Sequence, residues 1–198
     1  MSHRTAVGPS ALVFAAAVAL TTPLFVGCVP AVIAVGVGAG ALVAVDRRSS
    51  GAQLDDQTIE FKVASAAGTR FGDTIHLNVV SYNGLVILTG EAPTIKVADD
   101  IAQLARTTDR VRTVQNEMVV GPVTDLGARS NDTVITSKVK ARFVEADQFR
   151  ANYVKVVTER GVVYLMGIVT RQEAEAAAQI ASTTSGVARV VKVFEYTN

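Results

Sequence analysis

Residues able to carry chemistry are few and scattered in this 198-residue chain. It holds one cysteine, Cys28, and two histidines, His3 and His76. A cysteine nucleophile needs a histidine within hydrogen-bond reach, and a zinc site needs several His, Cys or acidic ligands. His3 stands in the opening residues. His76 alternates with inward-facing residues on a predicted strand, so it reads as a surface strand residue rather than a base. Adjacent carboxylates occur at Asp55-Asp56 and Asp99-Asp100. Sequence neighbours diverge on a helix, so these read as helix caps and solvated faces, not as an acid–base pair. Gly36, Gly38 and Gly40 lack the strand-to-helix setting and the Lys-Ser/Thr of a phosphate loop. No enzyme, metal or cofactor is expected. The remaining cluster is basic: Lys138, Lys140 and Arg142 share one predicted helix.

The elements that position these residues are set by a duplication. Ala102–Val111 returns as Ala178–Val187 at an offset of 76 residues. Asp56–Ile59 matches Asp132–Ile135, and Lys62-Val63 matches Lys138-Val139, at the same offset. Tyr82–Gly90 matches Glu159–Gly167 at an offset of 77, so one residue is gained before this block and lost after it. Single-residue changes of this kind sit in loops. Two copies of one small module therefore follow an unrelated N-terminal segment. Each has roughly 65 residues, near the small end for an independent core, and must pack efficiently or lean on its twin.

Each copy reads as helix, strand, strand, helix, strand. In the first, Asp55-Asp56 are expected caps of a helix whose Ile59, Val63 and Ala67 share a face. Ile75–Val80 alternates as a strand, Asn83-Gly84 signals a hairpin, and Leu85–Thr89 returns. A second helix over Thr94–Thr108 and a strand over Val111–Val120 follow. In the second copy, Asn131-Asp132 are the expected caps, with Ile135, Val139 and Phe143 inward. Tyr153–Thr158 and Val162–Met166 form the hairpin, Arg171–Thr184 the second helix and Val187–Tyr196 the last strand. The expected domains are 52–120 and 130–198, joined by a linker over 121–129. The fold class is α+β: two tandem αββαβ modules, each a three-stranded sheet on two helices.

The first 27 residues read as a secretory signal: Met1–Arg4 is positive, and an apolar stretch runs from Ala11 to Val26. Leu24-Phe25-Val26-Gly27-Cys28 resembles the lipobox of bacterial lipoproteins. That resemblance implies cleavage before Cys28, whose thiol takes a diacylglycerol, with two or three acyl chains (palmitate among them) as anchor. One acyl chain alone holds a protein only marginally, at roughly 0.8 kcal/mol per buried methylene. Val29 in place of an aspartate implies sorting to the outer membrane. Residues 28–51 are then a lipidated leader and linker. For the apolar run Val29–Val45 three readings stay open: a membrane-hugging leader, a short helix against lipid or another copy, or a span. Asp46–Gly51 reads as a polar linker.

The matched residues resemble the BON-domain family of bacterial envelope and osmotic-stress proteins. They are Asp56 and Asp132, the hairpin glycines Gly84 and Gly161, the strand-end glycines Gly90 and Gly167, and Val111 and Val187. With the lipobox, the chain resembles the dual-BON outer-membrane lipoproteins; Ser130–Thr133 and Leu165–Thr170 fit that group. The resemblance implies binding of anionic phospholipid, phosphatidylglycerol or cardiolipin, through the second module, and a role in keeping the outer membrane intact. With Ile135, Val139 and Phe143 inward, Val134, Lys138, Ala141 and Arg142 form a neighbouring stripe, so cations meet phosphate beside an apolar residue. Each Lys or Arg near an anionic surface is worth about 1 kcal/mol. Lys140 points elsewhere; Arg150 and Lys155 are candidates to widen the patch. The matching stripe of the first module, Thr58, Lys62, Ser65 and Ala66, holds one cation. The alternative function is a protein-interaction adaptor for an envelope assembly complex. A formal charge of +1 and no run of cations with interleaved aromatics argue against nucleic acid.

Overall fold

The computed structural model describes residues 46–197. Cys28, the signal and the run Val29–Val45 lie outside the described residues. The first module comprises α1 (Ser50–Phe71), β1 (His76–Tyr82), β2 (Leu85–Ala92), α2 (Ile95–Arg106), β3 (Thr113–Asn116) and β4 (Val119–Val120). The second comprises α3 (Leu126–Ala146), β5 (Lys155–Glu159), β6 (Val162–Val169), α4 (Arg171–Ser182) and β7 (Arg189–Tyr196). In each, a hairpin pairs the first two strands antiparallel, and the last strand returns parallel to the second. A helix between the last two strands supplies the crossover that parallel pairing requires. The expected single strand Val111–Val120 is broken at Glu117-Met118, where the Asn116 side chain accepts from the Met118 N–H.

The first helix of each module starts earlier than expected. Ser49 caps α1 by accepting from the Ala52 N–H at 3.1 Å, and Asp125 caps α3 by accepting from Ala128 at 2.9 Å. Asp55-Asp56 and Asn131-Asp132 therefore sit inside helices rather than at their ends. Asp56 and Asp132 are buried beneath the hairpin turns and accept from them. Asp56 takes the N–H groups of Asn83 (2.7 Å) and Gly84 (2.8 Å); Asp132 takes those of Arg160 and Gly161, both at 2.8 Å. All four turn residues have positive φ, with Arg160 at 52°. A carboxylate collecting two N–H groups offsets the cost of holding a non-glycine residue there.

The strand-end glycines answer to crowding. A Cβ on Gly90 would lie 2.1 Å from the His76 carbonyl oxygen, and one on Gly167 would lie 2.2 Å from that of Tyr153. A side chain at either position would push away the backbone that faces it, strand β1 at Gly90 and the turn leading into β5 at Gly167.

Three apolar clusters result. Ile59, Val63, Leu88 and Ile101 centre the first, and Ile135, Phe143, Leu165 and Ala177 the second, each between a sheet and its two helices. The third joins the modules: Val80, Tyr82 and Ile87 meet Tyr164, Met166 and Val193 through the sheet faces turned away from the helices. Val80 matches Val157, and Ile87 matches Tyr164, in the repeat register, so the same face is used by both copies. Each small module thus buries its second sheet face against its twin, and the described residues form one compact unit.

Candidate functional site

Helix α3 crosses its own sheet with Ile135, Val139 and Phe143 buried. The opposite side carries Val134, half exposed at 50%, with Lys138 and Ala141 also exposed. Lys138 has no hydrogen-bond or ion-pair partner among the described residues. These three share one outward stripe, which Glu145 closes at its C-terminal end. Arg142 leans the other way. Its guanidinium donates to the Ile180 carbonyl at 2.8 Å and to the hydroxyls of Thr183 and Thr184. A cation at the end of α4 is favourable against the helix dipole and the unpaired last carbonyls. The structure therefore places Val134, Lys138 and Ala141 together, while Arg142 sits half-buried on their flank.

The other candidate cations divide. Lys155 is held by Glu60 at 2.8 Å and the Ser81 carbonyl at 3.3 Å, across the module interface. Arg150 is exposed. In the first module, Lys62 lies 3.7 Å from Asp109, and the Thr58 hydroxyl donates to the Leu54 carbonyl. Lys140 faces a groove about 560 Å³ in volume between α3, β5 and the β1 strand of the first module. Asn78, Thr133, Thr136 and Ser137 line it, and Val80 and Val157 lie at its base.

His76 borders this groove instead of an open surface, because the second module covers β1. Its Nε2 lies 3.6 Å from Glu159 Oε1. Burial, then the nearby Arg129 charge, lowers its pKa below the ordinary histidine value. Glu159 is pushed up to about 7, by burial first and then by the carboxylates of Glu91 and Asp132. Glu91 is fully buried. Burial would raise it, but bonds from the Thr124 N–H and hydroxyl and from Arg160 outweigh that and hold it below the usual carboxylate range. Among the described residues no group of three His, Cys, Asp or Glu is placed to hold a metal ion.

Sequence reasoning missed the segment expected to be a plain polar linker. Arg47 forms a two-pronged pair with Glu173 of α4 at 2.7 and 2.8 Å and lies 3.9 Å above the Tyr153 ring. Arg48 bonds Asp46 and Asp56 and lies 4.0 Å above the Tyr82 ring. One arginine grips each module, and Ser50-Gly51 already belong to α1. Their partners stand up to 126 residues away, so local composition gave no signal.

A BON domain family model matches residues 55–122 and 131–198. The outer membrane lipoprotein DolP of Haemophilus influenzae is 43% identical over 172 residues, covering 86% of this chain and 89% of that protein. A 21 kDa hemolysin of Actinobacillus pleuropneumoniae is 36% identical over 154 residues, covering 77% of this chain and 79% of the relative. The osmotically-inducible protein Y of Escherichia coli is 28% identical over 141 residues, covering 69% and 70% respectively.

Proposed function

The chain belongs to the BON-domain family, and from that premise we propose that it is a periplasmic lipoprotein anchored in the outer membrane through Cys28. In this reading the second module binds anionic phospholipid, phosphatidylglycerol or cardiolipin, and the protein supports membrane integrity. The observation that carries it is the outward stripe of α3. Val134 and Ala141 offer apolar surface, and Lys138 is a cation with no partner among the described residues. Arg142 adds positive charge at the flank while its head stays with α4. A relative that is itself named an outer membrane lipoprotein supports the location. The resemblance of Leu24–Cys28 to a lipobox supports the anchor. Domain limits of 52–120 and 130–198 belong to the same reading, with α1 and α3 extending each module toward its N-terminus.

The test is flotation of residues 43–198, without the anchor, on vesicles of zwitterionic lipid with or without phosphatidylglycerol. Selective binding that weakens with salt is expected, because exposed charges are screened within about 8 Å at physiological ionic strength. Lys138→Glu removes one attraction of about 1 kcal/mol and adds a similar repulsion, so partitioning should fall about 30-fold. Equal flotation of a folded Lys138→Glu variant would remove the helix from the site. Capture of a protein partner independent of lipid composition would favour the adaptor alternative.

A further inference from the structure

The duplication is exact enough to compare the two sides of the module interface residue by residue. On one side, Glu60 of α1 reaches across the gap: it accepts from the Lys155 ammonium at 2.8 Å and from the Ser81 N–H at 2.9 Å. On the other side the equivalent positions are Thr136, for Glu60, and Asn78, for Lys155. Thr136 is too short to reach across and bonds only Thr158, the counterpart of Ser81, at 2.7 Å. The ion pair that plugs the first gap is therefore missing from the second, and the groove of about 560 Å³ opens there. Volumes of this size accept small ligands.

We propose that this groove, unplugged in one copy only, binds the glycerol-phosphate headgroup of a phospholipid. The proposal rests on the phospholipid reading above and places the headgroup beside, not on, the outward stripe of α3. The Thr133 hydroxyl donates to the Arg129 carbonyl, and the Ser137 hydroxyl to the Thr133 carbonyl. Their oxygens are left as acceptors for the hydroxyls of a polyol. Asn78 adds an amide that both donates and accepts. Lys140 lines the groove with no partner among the described residues and supplies a charge for the phosphate. Arg129 lines the same wall, with its Nε–H fixed on the Thr124 carbonyl at 3.0 Å. Of the two acids lining the groove, Asp132 is occupied by the hairpin turn, and Glu159 accepts from the Thr89 hydroxyl with His76 Nε2 3.6 Å away. The apolar base of Val80 and Val157 suits the glyceryl carbons.

The repeat also supplies the variant that tests this. Asn78→Lys with Thr136→Glu copies the Lys155–Glu60 plug into the open side, with a geometry the fold already accepts. Binding of monomeric dihexanoyl-phosphatidylglycerol to residues 43–198 is followed by amide NMR shifts. Expected are shifts at Asn78, Thr136 and Ser137, with at least a tenfold loss of affinity in the plugged variant and in Lys140→Glu. Lys140 is exposed, so that second variant keeps the fold if the plug does not. Glycerol 3-phosphate separates the sources. Binding as tight as the lipid would support the groove and assign it a soluble polyol phosphate; much weaker binding would assign it the membrane lipid. Shifts confined to Val134, Lys138 and Ala141, with the plugged variant binding as the parent does, would overturn the groove and leave the outward stripe standing. Failure of the parent to bind either the monomer or phosphatidylglycerol vesicles would overturn both.

Discussion

Replacing Asp56 by alanine should lower the stability of residues 43–198 by about 4 kcal/mol, the range for breaking a buried, hydrogen-bonded ion pair from one side. Asp56 is 2% exposed and has four donors: the Ser81 hydroxyl at 2.6 Å, the Asn83 and Gly84 N–H groups, and Arg48 at 2.8 Å. Burial works against its charge, but the bonds from Ser81, Gly84, Arg48 and Asn83 together hold the carboxyl below its ordinary value. Alanine would leave the turn donors unpaired and strip one of the two carboxylates from the Arg48 guanidinium. Asp132 has only two turn donors, so Asp132→Ala should cost less, about 2 kcal/mol. Urea unfolding measures both. The order matters more than the sizes: equal losses would mean that Arg48 and Ser81 add nothing. The native contribution of Asp56 is complete above its unfolded value of 3.8 and is lost as pH falls through the lower folded value.

The same residue separates what the sequence carries from what it does not. The repeat fixes the order of elements, because a duplicated pattern of apolar positions allows one reading for both copies. It also flags Asp56 and Asp132 as a matched pair. Their role is not legible locally, since an acid ahead of an apolar helix face looks like a cap, and the turn it holds lies 27 residues further on. Val134, Lys138 and Ala141 are predictable because helical spacing fixes a face once the inward residues are known. The same spacing also put Arg142 on the stripe. It could not reveal the end of α4, which draws the long guanidinium away. The Arg47 and Arg48 grips, and the groove left by Thr136 and Asn78, depend on how the two modules stack. That stacking is set by the third apolar cluster, and periodicity within either copy does not encode it.

The interface that hides these features should respond to pH through Glu159. This carboxyl is packed against Thr89 of the first module, with fully buried Glu91 and Asp132 as like-charged neighbours and Arg129, Arg160 and His76 around them. Burial disfavours the charge first, and Glu91, held ionised by Thr124 and Arg160, disfavours it further, so the folded value of Glu159 rises from 4.5 to about 7. A carboxyl raised in this way binds more protons folded than unfolded between those values. Stability should therefore be highest below 4.5 on this account and fall as pH rises through about 7. The full swing is about 3 kcal/mol. His76 has the opposite slope. Its folded value lies below 6.5, so its charging in the unfolded chain lowers stability as pH falls through 6.5. The wild-type curve alone mixes the two; its difference from Glu159→Gln does not. Glutamine keeps the size of the neutral acid and cannot ionise. The variant should match wild type below about pH 4 and exceed it by about 3 kcal/mol at pH 8, read by urea unfolding at each pH. A constant difference across that range would mean Glu159 does not titrate between folded and unfolded states. The predicted divergence would make the docking of two BON modules weaken as pH rises from about 4.5 to about 7, through a carboxyl that stands where the first copy has Tyr82.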